Sequence, residues 1–207
     1  MRWVMHQWRV FKPAAYIAAC LLLAGAMLGC SEKKVEFRSV DITGAKYASH
    51  FELTDATGKL RNLTDFSGKV VVVFFGYTQC PDVCPTSMME LAQVKKLLGK
   101  DGDKLQGIFV TVDPERDTPE VLKAYMESFD PSFVALYANF DALPALAKDF
   151  KVYYKKVEGK TPSSYTIDHS AGSYIYDTKG RLRLFARHAS GPEVLAADIA
   201  LLLQQEP

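Results

Sequence analysis

The chain has 207 residues, 48% of them hydrophobic and 24% charged, which fits one globular domain with enough chain to bury a sizeable core. The formal net charge is +1, so the balance of charge carries no sign of a nucleic-acid partner. No internal repeat or low-complexity segment appears.

The first thirty residues differ from the rest. Arg2, Arg9 and Lys12 precede an uncharged run from Pro13 to Cys30, and the first acidic residue is Glu32. This is a secretory signal pattern. Its end, "AMLGC", resembles the lipobox of bacterial lipoproteins, in which a cysteine after a small residue is acylated and becomes the mature N-terminus. That resemblance makes residues 1–29 a signal peptide and Cys30 the lipid anchor of a membrane-tethered protein facing the periplasm. An uncleaved anchor is the alternative, because 18 uncharged residues lie at the short end of what spans a bilayer. Either way the domain stands outside the cytoplasmic membrane. Without residues 1–29 the chain keeps 22 Lys and Arg against 24 Asp and Glu, a net charge of −2. Residues 30–48 are polar and weakly patterned and read as a tether, with the folded domain over 49–207.

From there strands and helices alternate. Residues 50–55 and 59–63 read as a hairpin around Ala56, Thr57 and Gly58. "KVVVVFF" (69–75) is an apolar β-branched run, expected of a central strand covered on both faces. In 85–99, Met88, Leu91, Val94, Leu97 and Leu98 form a helical stripe that ends at Gly99. Residues 104–113 are the next buried strand. A helix over 117–129 starts with an N-cap at Asp117 or Thr118 and Pro119 in its first turn. Residues 133–138 are a short strand, and 141–150 a helix that requires Pro144 in its first turn. Residues 165–168, 172–177 and 181–187 read as strands, with a turn at 178–180, before a closing helix over 192–204. This order predicts an α/β, thioredoxin-like three-layer domain with a central mixed sheet and an N-terminal hairpin.

In such a domain functional groups collect where a strand's carboxyl end meets a helix's amino end, and Cys80 and Cys84 lie at that junction. Helix amides and the macrodipole favour a thiolate there, so at least one sulfur should be more acidic than a free cysteine. Three roles compete. A staple disulfide across so short a loop contributes little, on the order of 2 kcal/mol. A redox pair of this fold usually has two intervening residues, whereas Pro81, Asp82 and Val83 make three here. The wider loop lets the sulfurs diverge around a third partner, as a metal needs, and a metal needs a further ligand.

Four histidines are present. His6 falls in the signal region, and His50 and His188 read as surface residues. His169 stands in a polar step between strand-like runs, in the loop that passes beside the cysteine loop in thioredoxin-like folds. A lone histidine is more often a hydrogen-bonded core or surface residue than a ligand, but this location favours ligation. Two thiolates and an imidazole suit Cu(I), Cu(II) or Zn(II), and three ligands leave an open position. A site facing an oxidising periplasm suits copper transfer better than structural zinc. Asp168 is a candidate acceptor for the His169 ring, although an acidic residue at a strand end is usually only solvated.

"GYTQCPDVCPTSM", "TVDPERDTPE" and "YTIDHSAGSYIYD" resemble the three signature segments of the Sco/SenC family of copper-binding proteins that help assemble cytochrome c oxidase. The likeness extends over most of 50–205. The resemblance implies a thioredoxin fold with Cys80, Cys84 and His169 as ligands of Cu(I) and Cu(II). It also implies delivery of copper to the dinuclear centre of oxidase subunit II; another copper chaperone is the alternative partner, and the protein is expected to be a monomer. A thiol-disulfide reductase role for the Cys80 and Cys84 pair stands beside that reading. A peroxide-reducing enzyme ranks last, because it wants one activated cysteine and does not require the pair. Asp113 and Arg116 could restrain the cysteine loop or contact a partner, with a helix-capping turn the plainer account. Met88 could offer a thioether, with core packing the plainer account. Phe74, Phe75 and Tyr77 read as core and rim.

Overall fold

Two apolar runs build the centre of the molecule. In the computed structural model, which describes residues 36–161 and 164–205, β4 (Val70–Gly76) and β5 (Leu105–Thr111) are buried at every position and pair in parallel. Their side chains alternate between two covered faces. Phe74 lies against Phe109 on one face, and Phe75 against Phe150 on the other. The remaining strands are β1 (Val40–Asp41), β2 (Leu53–Asp55), β3 (Leu60–Arg61), β6 (Val134–Tyr137), β7 (Tyr154–Val157), β8 (Thr166–His169), β9 (Ser173–Tyr176) and β10 (Leu182–Ala186). The main sheet runs β1-β10-β9-β4-β5-β6-β2-β3, parallel across β4, β5 and β6 and antiparallel elsewhere. β7 and β8 form a separate two-stranded ribbon.

Among the described residues four α-helices complete the fold: α1 (Val83–Leu97), α2 (Pro119–Glu127), α3 (Leu143–Asp149) and α4 (Pro192–Gln204). α1 and α4 pack on each other, while Phe150, which caps α3, fills the opposite face of β4. The expected mixed-sheet α/β domain is therefore present. Among the described residues no helix is long and apolar enough to cross a membrane. The expected signal peptide and Cys30 lie outside the described residues.

Local chemistry explains several boundaries. The hairpin of β2 and β3 turns on Asp55, which accepts from the Thr57 amide at 2.8 Å, the Thr57 hydroxyl at 2.6 Å and Arg61 Nε at 2.7 Å. Gly58, at φ 83°, supplies the left-handed residue that turn requires. Of the two N-cap candidates for α2, Thr118 takes the role, its hydroxyl accepting from the Val121 amide. Pro144 sits in the first turn of α3 as required.

Two segments depart from the sequence reading. Residues 37–48, read as tether, belong to the fold. Val40 and Asp41 pair with β10, and the buried Asp198 carboxylate accepts the Arg38 and Ser39 amides at 2.8 Å each. Ala48 is fully buried, and its carbonyl accepts from the Tyr176 hydroxyl at 2.7 Å. A two-residue strand fixed by a carboxylate about 160 positions away leaves no periodicity to read. β7 was likewise not expected, because its residues are mostly exposed and gain order from pairing with β8.

Candidate metal centre

The cysteine loop begins where β4 loses its side chain. Gly76 closes the strand, and a Cβ there would lie 2.6 Å from Cys84 Sγ and 2.9 Å from Phe74. A side chain would fill the space the sulfur occupies, so glycine marks a close approach. The Cys80 amide then donates to the Tyr77 carbonyl at 3.2 Å, and the chain turns into α1. Cys84 is the second residue of that helix and fully buried; Cys80 sits in the loop, half-buried. Both are free thiols.

His169 arrives at the end of β8. Its Nε2 lies 3.4 Å from Cys84 Sγ, across 85 residues of sequence. Its Nδ1 faces the Ser170 carbonyl at 2.9 Å, so a proton on Nδ1 is held there and leaves the Nε2 lone pair toward the sulfurs. Phe74 and Tyr77 present their rings edge-on to the imidazole, 6.1 and 5.8 Å between centroids. The suggested acceptor Asp168 is exposed and pairs with Lys155 across β7 and β8, so the ring is held by a backbone carbonyl instead. A strand alternates its side chains, which points Asp168 away from the face that His169 uses.

The three ligand atoms of Cys80, Cys84 and His169 lie within 4.8 Å of one another, and among the described residues they are the one such group of three. Donors about 2.1–2.3 Å from a common ion stand roughly 3.5–4 Å apart, so the set fits a single soft or borderline cation after small adjustments. Burial depresses the His169 pKa, which keeps the imidazole neutral and able to ligate. Cys84 departs from expectation. Burial pushes its thiol well up, and negative charge on Cys80 and Asp117 adds to the effect. The helix terminus does not make it acidic because desolvation in a fully buried position outweighs the dipole. A metal cation brought among these groups would reverse that balance. The Tyr125 hydroxyl, buried without a hydrogen-bond partner, stands close enough to both sulfurs for their charge to hinder its ionisation, burial being the larger cause.

The loop from Asp113 to Asp117 fixes this assembly. Asp117, 3% exposed, accepts from the Thr78 hydroxyl and the Thr111 hydroxyl, both at 2.6 Å, and from the Thr78 amide. Sequence reasoning saw Asp117 only as a capping candidate. Asp113 bonds Arg116 Nε at 2.5 Å and accepts from the Tyr165 hydroxyl at 2.6 Å. Arg116 reaches Gln79 of the cysteine loop, so of the two roles suggested for this pair the loop restraint is present. Met88 is buried in the core, His50 is exposed, and the half-buried His188 bonds Ser87. Gly76 could have been suspected from a glycine closing an otherwise apolar strand; Asp117 gave no sequence signal beyond its place before a helix.

Comparison with known proteins agrees with this geometry. Residues 40–204 match the family described as SCO1/SenC. A SCO2-like protein of Rickettsia felis is 36% identical over 152 residues, covering 72% of this chain and 74% of that protein. Bradyrhizobium japonicum ScoI with copper bound is 42% identical, with a TM-score of 0.67 over 74% of this chain and 97% of that one. Yeast Sco1 with copper bound is 29% identical, with a TM-score of 0.68 over 76% and 88%. These solved relatives hold copper, and this chain has a Cys-Cys-His group able to hold a metal. With a match over four-fifths of its length, the chain belongs to the SCO1/SenC family.

Proposed function

We propose that this protein is a copper carrier, tethered to the membrane through Cys30 and facing the periplasm, that delivers copper to the dinuclear centre of cytochrome c oxidase subunit II. The observation that carries the reading is the convergence of two free thiols and a neutral imidazole within 4.8 Å. The copper-bound relatives support the choice of cargo, and a solved Sco protein is described as a member of a family of cytochrome c oxidase assembly proteins. Two thiolates hold Cu(I), and His169 adds the nitrogen donor that Cu(II) favours. Transfer proceeds by ligand exchange. Cys80, the more exposed sulfur, is the one an incoming thiolate reaches first, and Cys84 follows from its buried position. Oxidation of the pair to a disulfide removes both sulfur ligands, so the redox state gates the cargo.

The same asymmetry supports a second reading, a thiol-disulfide reductase. Cys80 would attack a partner's disulfide and Cys84 would then release it, the pair giving up two electrons and two protons as it becomes a disulfide. Titration of the reduced full-length protein in detergent with Cu(I) and Cu(II) separates the two. The carrier binds one copper, loses it in Cys80→Ser and Cys84→Ser, and holds Cu(II) more weakly in His169→Ala. No stoichiometric copper, with disulfide exchange unchanged in His169→Ala, leaves the reductase.

A further inference from the structure

Arg116 touches both segments that carry the candidate ligands. Its Nη1 donates to Gln79 Oε1 at 3.1 Å, one residue before Cys80, and to the Tyr165 carbonyl at 2.9 Å, immediately before the strand that ends in His169. Its Nε is anchored on Asp113, and its guanidinium stacks 3.5 Å from the centre of the Tyr165 ring and 5.7 Å from that of Tyr77, which itself abuts His169. Tyr165 is fixed in turn by its hydroxyl bond to Asp113. The result is a cross-tie between the cysteine loop and the histidine strand, built on a planar fork that a lysine ammonium cannot reproduce.

A stabilising role alone explains this arrangement poorly. The Arg116 and Asp113 side chains are 13% and 3% exposed, and a buried ion pair offsets most of its attraction with desolvation. Among the described residues Arg116 Nη2 is in addition buried without an acceptor, which is a net cost. What distinguishes Arg116 is that it spans two elements whose separation decides whether an imidazole and two sulfurs can share one ion.

We propose that Arg116 is a positioning residue that sets the reach of His169 to the cysteine loop, and so governs retention of Cu(II) more strongly than that of Cu(I). The inference rests on the copper reading above. Cu(I) keeps two soft thiolates when the imidazole is displaced, whereas Cu(II) depends more on the nitrogen donor, so loosening the tie weakens Cu(II) more than Cu(I).

The test is a double-mutant cycle on the full-length protein in detergent, with wild type, Arg116→Lys, His169→Ala and the double variant. Arg116→Lys keeps a cation beside Asp113. Gln79→Ala cuts only the exposed loop end of the tie and leaves the fold untouched. Cu(II) affinity should fall about 10- to 100-fold in Arg116→Lys, as for other groups that orient a ligand, and less in Gln79→Ala. Cu(I) affinity should fall less than Cu(II) affinity, and the double variant should bind Cu(II) no worse than His169→Ala. Additive losses, equal loss of Cu(I) and Cu(II), or wild-type Cu(II) affinity in both tie variants would overturn the proposal. If wild type takes up no copper, the carrier reading fails, and the tie is judged from the His169 ring resonances of the metal-free protein. Those resonances move in Arg116→Lys and Gln79→Ala if the tie holds and stay in place if it does not.

Discussion

The hairpin end and the cysteine end of the domain each bury an aspartate to the same degree, 3% exposed, and treat it in opposite ways. Asp55 faces Arg61 at 2.7 Å and accepts from Thr57 and Lys59; burial opposes ionisation, yet these bonds hold its pKa down at about 2. Asp117 accepts only from neutral threonine donors, and burial pushes its pKa up. The same bias runs through the cysteine end, where burial raises the Cys84 thiol and the Tyr77 phenol and lowers the His169 imidazole, all toward the uncharged form. One region is completed by its own ion pair. The other spends its ion pair, Arg116 with Asp113, on Gln79 and the Tyr165 ring, and a metal cation would complete the environment at the sulfurs themselves.

The largest expected effect follows from that bias. Copper binding must expel the proton that burial holds on Cys84, so apparent affinity should rise with pH through the neutral range, on the order of tenfold per pH unit for each proton released. Competition titrations from pH 6 to 9 measure it, and a flat profile would show that the thiols are already ionised in the free protein. The hairpin should be indifferent, with Asp55→Asn leaving copper affinity at the wild-type value.

Gly76→Ala tests whether space at the cysteine end is as restricted as the 2.6 Å approach to Cys84 Sγ implies. It should lower copper affinity and destabilise the domain by about 1–3 kcal/mol through overpacking. Denaturant melts with and without copper check both parts. Gly58→Ala, at the hairpin turn and open to space, should cost only backbone strain and leave the metal untouched.

The smallest effect separates the two aspartates by sign. The folded-state pKa of Asp55 lies below its unfolded value, so its contribution is present above about pH 4 and is lost as pH falls through about 2. Asp55→Asn should remove roughly 1–2 kcal/mol at neutral pH and flatten the acid limb of the stability curve. The Asp117 pKa is raised, so its contribution is present below about pH 4 and lost as pH rises through the folded value. Asp117→Asn should therefore remove a slope of opposite sign. Chemical denaturation between pH 2 and 8 reads both, and slopes of the same sign would sink the comparison.

The three candidate ligands were legible because their chemistry is local. Two cysteines at a strand-to-helix junction and a histidine in the loop beside a later strand declare their element positions through neighbouring apolar runs. The resemblance of three segments then named the family. The partners that hold those ligands were not legible in the same way. Asp117 resembled an N-cap because its position before Pro119 is a capping position, and only the fold brings Thr78 and Thr111 to it. Asp168 looked like the ring acceptor by adjacency, yet strand alternation turns it outward and leaves the Ser170 carbonyl to do it. The 37–48 segment looked like a tether because its anchors, Asp198 and β10, lie at the other end of the chain.

The sequence by itself determined which donors exist, which helices and strands carry them and the order of the layers, since propensity and apolar periodicity act within a few residues. Tertiary structure alone decided that Cys84 and His169, 85 positions apart, stand 3.4 Å from each other, and that the thiol stays protonated despite its place at a helix start. Distance between remote residues and the dielectric around a buried group are properties of the packed whole. No local pattern encodes them.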